Sequence, residues 1–341
     1  MKNIVFQVNI QGKRHRPEFD LSTKSWKIWA DKNDCEVFVL DQFIEDEQYM
    51  KPNWQKWYIF DLLEQSNIDY DQILVVDADT IVHPDCPNFF EETNHEFCVV
   101  RNDGCYEWVL RSIKKYKDFL FKDLDVDCWE YFNSGFVILN KKHKPFIKEV
   151  LKWYDDNVEN INWAEENIKA STEQTPLNFL VKKHGINVKH LSGKYNLQDM
   201  FKKNLLWTNN YSWWDDELIF LDAGWVYHFN AIPPVPDERD QSYWIKRTYM
   251  ELYGKSDNPL DSLLTLQKDK FQHRDTTSRE FKEDLIDFFG DKYKDKDVYE
   301  VGANIGLTSR VLSFLFKKVY VNNHWTPYKD DSKNDWIVKK E

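Results

Sequence analysis

The stretch ILVVDADTIV, residues Ile73–Val82, decides the expected fold. Its first four residues are apolar and mostly β-branched, which is typical of a strand buried on both faces at the centre of a parallel sheet. Side chains alternate along a strand, so Asp77 and Asp79 are predicted to point to the same side. They come at the carboxyl end of this strand, the edge at which open α/β sheets bind ligands.

Two ionised carboxylates at this edge repel each other unless a cation lies between them. Mn²⁺ or Mg²⁺ would remove that repulsion and keep coordination positions for substrate phosphates. The alternative is that one aspartate caps a turn and the other is solvated. The D-x-D pattern alone decides little, because it recurs at Asp69/Asp71, Asp123/Asp125, Asp125/Asp127 and Asp295/Asp297. Its position at a strand end favours the metal site.

The rest of the chain alternates apolar runs of strand length with helical patterns, which predicts an α/β fold with a largely parallel sheet. Predicted strands are Ile4–Ile10, Cys35–Asp41, Ile73–Val82, Ile186–Leu191, Glu217–Leu221 and Gly224–Phe229. Further apolar segments lie at Glu96–Asp103 and Tyr131–Asn140. Predicted helices are Ser25–Asn33, Pro52–Asn67, Pro145–Asn157 and Thr172–Gly185.

The composition excludes several classes of protein. A net charge of −12 over 341 residues disfavours nucleic acid or an anionic membrane surface as a partner. The five cysteines are odd in number and show no C-x-x-C spacing, so we expect reduced thiols and a cytoplasmic location. The sequence has no window of 18 apolar residues, and its first apolar run is short and broken by Gln7 and Asn9, so we expect no signal peptide and no membrane span. It carries no signal of oligomeric state.

At this point the sequence resembles a known family. ILVVDADTIV is similar to the D-x-D strand of GT-A-fold glycosyltransferases, which bind a nucleotide-diphosphate sugar through a metal. Three further segments are similar to the family-8 type of retaining glycosyltransferases. These are YFNSGFVILN, with Asn133, Ser134 and Gly135; TEQTPLNFL, with Glu173 and Gln174; and GWVYHFN, with His228. Their order and spacing agree over roughly residues 1–235.

The resemblance implies a GT-A (Rossmann-like, mostly parallel) domain and a role for each segment. Asp77, Asp79 and His228 would bind Mn²⁺ or Mg²⁺. Asn133, Ser134 and Gly135 would line the pocket of the donor sugar, together with Asp77, and Asn9 would meet the nucleotide base. Glu173 would bind sugar hydroxyls and Gln174 would lie near the anomeric carbon. The implied reaction moves a hexose from a UDP-sugar to a saccharide acceptor with retention, whereas inversion would require Glu173 or another carboxylate as general base.

Each of these residues has an ordinary structural alternative. His228 could be a satisfied histidine within a strand, and Glu173 a helix N-terminal acid favoured by the helix dipole. The family also has a glycine and a lysine after the histidine, and this chain reads HFNAIPPVP there. A cation for the donor phosphate must therefore come from elsewhere, and Lys56 could instead lie on a solvated helical face. The candidates are Lys51, Lys56, Arg239, Lys246 and Arg247.

A polar, charge-mixed stretch near Lys255–Thr277 predicts a domain boundary. We expect a GT-A domain at 1–255, a linker at 256–277 and a small α/β segment at 278–341. That last segment has a predicted helix at Ser278–Phe289, then strand Asp297–Val301, helix Leu307–Phe316 and strand Lys318–Val321. With Glu300, Gly302 and Gly306 it resembles the first motif of S-adenosylmethionine-dependent methyltransferases. We expect a truncated domain without methyl transfer.

Two other classes of function are compatible with parts of the sequence. A sugar nucleotidyltransferase uses a similar sheet, but the first loop, NIQGKRHR, lacks a glycine-rich turn that grips a triphosphate. A carbohydrate-binding protein with a dead site is the other alternative. The intact D-x-D and Glu-Gln pairs count against it.

Overall fold

The computed structural model describes most of the chain, in two compact units at Met1–Leu252 and Tyr253–Glu341. The described residues are 2–10, 16–168, 173–206, 218–233, 240–254, 279–290, 292–301 and 307–322. The predicted linker 256–277 and Arg239 lie outside these ranges. All five cysteines lie inside them and are free. Among the described helices, none is long and apolar enough to cross a membrane.

The first unit is built on a six-stranded sheet that is parallel except for one strand. Over the part of this unit that the structure describes, the strands are β1 (Lys2–Val8), β2 (Cys35–Leu40), β3 (Tyr70–Asp77), β4 (Thr80–Val82), β5 (Phe97–Arg101), β6 (Phe132–Asn140), β7 (Val188–Leu191) and β8 (Val226–His228). The main sheet has the order β2-β1-β3-β6-β5-β7, and β4 pairs with β8 in a small second sheet. In the main sheet β6 runs antiparallel to both its neighbours. The predicted α/β class with a mostly parallel central sheet is confirmed.

Helices cover both faces of this sheet. They are α1 (Glu18–Lys32), α2 (Pro52–Gln55), α3 (Ile59–Gln65), α4 (Tyr106–Phe119), α5 (Lys144–Asn167), α6 (Gln174–Lys183) and α7 (Gln241–Tyr253). Alternation along β3 sends Leu74 and Val76 to the face that packs on Trp26 and Trp29 of α1. The intervening side chains, Ile73 and Val75, join the core under α2 to α6. Burial on both faces is what the apolar run predicts for a central strand.

The prediction that Ile73–Val82 forms one strand is wrong. Strand β3 ends at Asp77, Ala78 and Asp79 form a turn, and β4 then leaves for the second sheet. The Thr80 hydroxyl closes this turn by donating to the Asp77 carbonyl over 2.8 Å. Strand alternation therefore does not extend to Asp79. The turn, and not alternation along one strand, places the carboxylates of Asp77 and Asp79 on the same side. In the second sheet Thr80 is the register partner of His228.

Other boundaries differ for local reasons. The helix predicted at Pro52–Asn67 is divided by a 3-10 turn at Lys56–Tyr58. The strand predicted at Glu217–Leu221 is wrong, because Ile219–Ala223 forms a 3-10 turn. Helices α4 and α7 fall where no helix is predicted.

The second unit contains a small α/β arrangement. Its elements are α8 (Arg279–Phe289), β9 (Asp297–Val301), α9 (Leu307–Leu315) and β10 (Lys318–Asn322). The two strands pair in parallel, and α9 supplies Val311, Leu312 and Leu315 to the local core. The Ser309 hydroxyl donates a hydrogen bond to the Glu300 carboxylate. Gly302 and Gly306 lie outside the described residues, so the methyltransferase-like motif stays a prediction.

Candidate active site

The structure brings Asp77, Asp79 and His228 together at the carboxyl edge of the main sheet. His228 Nε2 lies 3.1 Å from Asp79 Oδ1 and 3.8 Å from Asp77 Oδ2. Three ligand atoms, one from each residue, all lie within 4.8 Å of one another. The His228 side chain is 2 % exposed, whereas that of Asp77 is 37 % exposed and can be reached by a ligand. The sequence-predicted metal ligands thus form one cluster that is open on the Asp77 side.

Hydrogen bonds fix which nitrogen of His228 faces the carboxylates. The backbone N–H of Gly135 donates to Asn133 Oδ1 over 2.8 Å, which identifies that atom as the amide oxygen. The Asn196 side-chain nitrogen donates to the same oxygen over 3.0 Å. Asn196 Oδ1 is then left facing His228 Nδ1 at 3.0 Å, so Nδ1 must donate. Nε2 therefore faces the two aspartates, the orientation that second-shell hydrogen bonds give to metal-binding histidines.

The charges of Asp79 and His228 support each other. Burial disfavours the imidazolium, but the Asp79 carboxylate outweighs this and holds the pKa of His228 above its ordinary value. Burial likewise disfavours the Asp79 carboxylate, but His228 holds the pKa of Asp79 below its ordinary value. Each charged form therefore favours the other at their 3.1 Å contact. A divalent cation would displace the proton from Nε2.

The set of two carboxylates and one imidazole fits a divalent cation. Oxygen ligands suit Mn²⁺ and Mg²⁺, and imidazole is tolerated by Mn²⁺.

Gly135 forms one wall of the site. A Cβ on Gly135 would lie 2.4 Å from His228 Cε1 and 2.7 Å from Asp77 Oδ2. The glycine of the Asn-Ser-Gly segment is therefore required for the close approach of β6 to the cluster.

Lys56 connects the cluster to Glu173. Its ammonium lies 3.2 Å from Asp77 Oδ1, 3.5 Å from Glu173 Oε2 and 2.9 Å from the Ser134 carbonyl. The Ser134 hydroxyl donates to Glu173 Oε2 over 2.6 Å, and the Trp57 indole donates to Oε1 over 3.2 Å. Burial disfavours the ammonium, but Asp77 and Glu173 hold the pKa of Lys56 above its ordinary value. Lys56 is 3 % exposed, so the solvated-face alternative is wrong.

Gln174 lies in the same buried network. Its side-chain oxygen accepts from Asn133 Nδ2 over 3.0 Å and from the Ser134 backbone N–H over 3.2 Å. Its amide nitrogen donates to the Tyr131 hydroxyl over 3.3 Å. Gln174 is 6 % exposed, and these contacts tie α6 to the Asn-Ser-Gly segment. The chain of contacts runs from Gln174 through Asn133 and Asn196 to His228.

Asn9 follows β1, next to the strand that carries Asp77. Val8 is the register partner of Asp77, so Asn9 lies at the same sheet edge. The Asn9 side chain donates to Asp20 Oδ1 over 3.0 Å. Of the other predicted cations, Lys51 pairs with Glu165 and Arg247 pairs with Glu251.

Gln241 and Arg16 belong to no sequence motif, yet the structure places Gln241 on Asp79 and Arg16 on Gln241. Gln241, the first residue of α7, donates to Asp79 Oδ2 over 2.8 Å and to the Phe229 carbonyl over 2.8 Å. Its side-chain oxygen accepts from Arg16 Nη1 at 2.5 Å. The Gln241 amide thus separates the Arg16 guanidinium from the Asp79 carboxylate, a candidate metal ligand. Neither residue carries a sequence signal, because they are 225 positions apart.

No protein-family model matches this sequence, and no curated protein matches it. Many solved structures are similar to this chain, and three of them are glycosyltransferases. A glycosyltransferase involved in the glycosylation of the major capsid of PBCV-1 shares 10 % identity with a TM-score of 0.46, over 72 % of this chain and 99 % of that one. Mouse xyloside xylosyltransferase 1 shares 12 % identity with a TM-score of 0.40, over 69 % and 100 %. The glycosyltransferase GlyE of Streptococcus pneumoniae TIGR4 shares 12 % identity with a TM-score of 0.39, over 96 % and 81 %. Likeness this remote carries no weight for function, which depends on the residues of the site.

Proposed function

We propose that this protein is a metal-dependent glycosyltransferase of GT-A type, which moves a hexose from a UDP-sugar to a saccharide acceptor with retention. The observation that carries the proposal is the Asp77–Asp79–His228 cluster, with Nε2 turned toward both carboxylates. It lies beside the Asn-Ser-Gly and Glu-Gln segments, at the sheet edge where α/β proteins bind ligands. The resemblance of all four segments to one family supports the same reaction.

In this reaction the bond between C1 of the hexose and the diphosphate oxygen breaks, and a bond from C1 to an acceptor hydroxyl oxygen forms. The bonding electron pair leaves with the nucleoside diphosphate. With retention, the acceptor attacks from the leaving-group side and its proton passes to the departing diphosphate. A divalent cation bound by Asp77, Asp79 and His228 would supply Lewis-acid stabilisation of the negative charge on that leaving group.

The surrounding side chains orient this site. Lys56 holds one oxygen of Asp77, which leaves Oδ2 directed toward His228. Asn196 holds the histidine ring, and Gln241 holds Asp79. These contacts support a role for Lys56 in positioning a metal ligand, because its three N–H donors already face three acceptors.

The surroundings of Glu173 disfavour this residue as the general base of an inverting reaction. Inversion requires a general base within hydrogen-bond reach of the acceptor hydroxyl. Glu173 is 3 % exposed, and both its oxygens accept hydrogen bonds from Ser134 and Trp57. A carboxylate so engaged is poorly placed to take a proton from an acceptor. We therefore assign Glu173 and Gln174 to the shape and polarity of the sugar pocket.

The test offers UDP-, GDP- and ADP-hexoses with Mn²⁺ to the purified chain and follows release of the nucleoside diphosphate. We expect release from a UDP-hexose, its loss on chelation by EDTA, and its loss in Asp79→Asn. Asp71→Asn is the matched control, because Asp71 belongs to another D-x-D pair at the opposite end of β3 and contacts His95 at 3.0 Å. If no donor is cleaved, or if Asp79→Asn retains full metal-dependent activity, the proposal is wrong. Release of pyrophosphate from a nucleoside triphosphate and a sugar phosphate would indicate a nucleotidyltransferase.

A further inference from the structure

Helix α4 has at each end a pair of aromatic side chains, in which a half-buried ring lies against an exposed tryptophan. At its first residue, Tyr106 lies 4.8 Å from Trp129 between ring centroids, and Trp129 is 57 % exposed. At its last residue, Phe119 lies 4.7 Å from Trp163, which is 49 % exposed. Because a helix rises 1.5 Å per residue, the two pairs are separated by about 20 Å. They are alike in chemistry and differ in where they lie.

The Tyr106–Trp129 pair lies at the sheet edge that carries the metal cluster. Strand β5 is antiparallel to β6, and β6 is antiparallel to β3, so β5 and β3 end at the same edge. Tyr106 comes five residues after β5 ends at Arg101, and Trp129 comes three residues before β6 begins at Phe132. The backbone N–H of Asn102 donates to the Tyr131 carbonyl over 2.9 Å. This hydrogen bond joins the segment that follows β5 to the segment that precedes β6.

Close contacts connect this edge to His228. Gly104 packs so tightly on Asp199 that a Cβ at Gly104 would lie 2.1 Å from the Asp199 Cβ. The backbone N–H of Asp199 donates to Asn230 Oδ1 over 2.8 Å, two residues beyond His228. Tyr106 is two residues after Gly104, so the Cα atoms of these residues lie at most about 7 Å apart. A short series of contacts through Gly104, Asp199 and Asn230 thus connects the segment of the Tyr106–Trp129 pair to the segment of His228.

The chemistry of this pair suits an uncharged sugar. The C–H face of a pyranose ring packs on the flat face of an indole, and the ring hydroxyls need polar partners at its rim. Asp127 accepts a hydrogen bond from the Trp129 backbone N–H at 3.0 Å, and Glu130 is also exposed. These carboxylates can accept hydrogen bonds from hydroxyl groups, and they repel a diphosphate. The surroundings favour a neutral acceptor over the anionic donor.

We propose that Tyr106 and Trp129 form the platform that binds the acceptor saccharide. This inference rests on the proposed function, because it places the second substrate of the same site. Trp129 supplies the stacking face, and the exposed carboxylates beside it bind ring hydroxyls. The Phe119–Trp163 pair, at the far end of α4, has no such role.

The test measures saturation-transfer NMR from the protein to lactose, maltose and cellobiose, with Mn²⁺ and UDP present. We expect at least one of these neutral disaccharides to bind the wild-type protein and to bind Trp129→Ala about tenfold more weakly, as loss of one aromatic stacking contact implies. Trp129→Phe keeps an aromatic face and restores most of the affinity. Trp163→Ala removes a similarly exposed tryptophan and leaves affinity unchanged.

Hydrolysis of the UDP-hexose by water, without acceptor, reports separately on the donor site. We expect Trp129→Ala to retain this activity within about twofold, since its side chain is outside the metal cluster. The inference is overturned if none of the three disaccharides binds the wild-type protein, if Trp129→Ala binds as tightly as wild type, or if Trp163→Ala weakens binding equally. Absence of donor hydrolysis in the wild-type protein counts against the proposed function, and the binding comparison among variants still decides the platform.

Discussion

Replacing Gly135 by alanine should distort the cluster of Asp77, Asp79 and His228 without changing a charge. The new Cβ would lie 2.4 Å from His228 Cε1, 2.7 Å from Asp77 Oδ2 and 2.8 Å from Asn133 Oδ1. Ordinary carbon–carbon contacts begin near ~3.5 Å, so the ring must move by about 1 Å. The ring is buried and held by Asn196, and Asp77 is held by Lys56, so neither can move freely. Overpacking of this kind costs about 1–3 kcal/mol of unfolding free energy.

The expected loss of Mn²⁺ affinity in Gly135→Ala is about 10–100-fold, the range found when the support of a metal ligand is disturbed. Isothermal titration calorimetry measures the affinity, and urea denaturation measures the unfolding free energy. Gly193→Ala is the matched control, because apart from its chain neighbours no described residue lies within 4 Å of the position its Cβ would take. Wild-type Mn²⁺ affinity and wild-type stability in Gly135→Ala would refute the assigned geometry of the cluster.

Three further predictions test the support of the site and of the fold. Asn196→Ala removes the acceptor that fixes the His228 ring and should weaken Mn²⁺ binding about 10–100-fold in calorimetry; unchanged affinity would contradict the assigned orientation of the ring. Lys56→Met leaves its carboxylate partners uncompensated and should lower the unfolding free energy in urea by about 3–5 kcal/mol, whereas a loss near zero would argue against the buried ion pairs. Burial lowers the pKa of His143 from 6.5 to about 4, and its Nδ1 accepts the Asn140 N–H. As pH falls from 6.5 to about 4, the unfolded chain takes up the proton before the folded chain does. The unfolding free energy of the wild type should therefore fall by on the order of 3 kcal/mol relative to that of His143→Gln, which retains an acceptor. Parallel curves of unfolding free energy against pH for the two proteins would contradict this.

The sequence predicts the sheet well where burial alone decides the structure. The apolar run Ile73–Val76 is buried on both faces, and the strands around it follow from the same kind of pattern. The division at Ala78–Asp79 is not predictable from periodicity, because the turn depends on the hydroxyl of Thr80 and its contact with Trp26. Thr80 and Trp26 are 54 positions apart, and no local signal connects them.

In the candidate site, too, the sequence indicates the residues that belong to motifs and misses those whose role depends on contacts distant in sequence. Asp77, Asp79 and His228 are identified from motifs, and the structure places them together. Asn196 and Gln241 are missed, because an amide acquires its role only from the partners that folding brings to it. Lys56 is assigned to the donor by resemblance, yet its burial between two carboxylates depends on a 3-10 turn that no pattern in the sequence indicates.

The most direct test of the central claim is an anomalous-difference map from crystals grown with Mn²⁺ and UDP. We expect one strong peak within about 2.0–2.3 Å of a carboxylate oxygen of Asp77, a carboxylate oxygen of Asp79 and Nε2 of His228, with a phosphate oxygen of UDP completing the coordination. A peak elsewhere, or an empty cluster beside bound UDP, would contradict the claim that these three residues hold the metal of a sugar-transfer site.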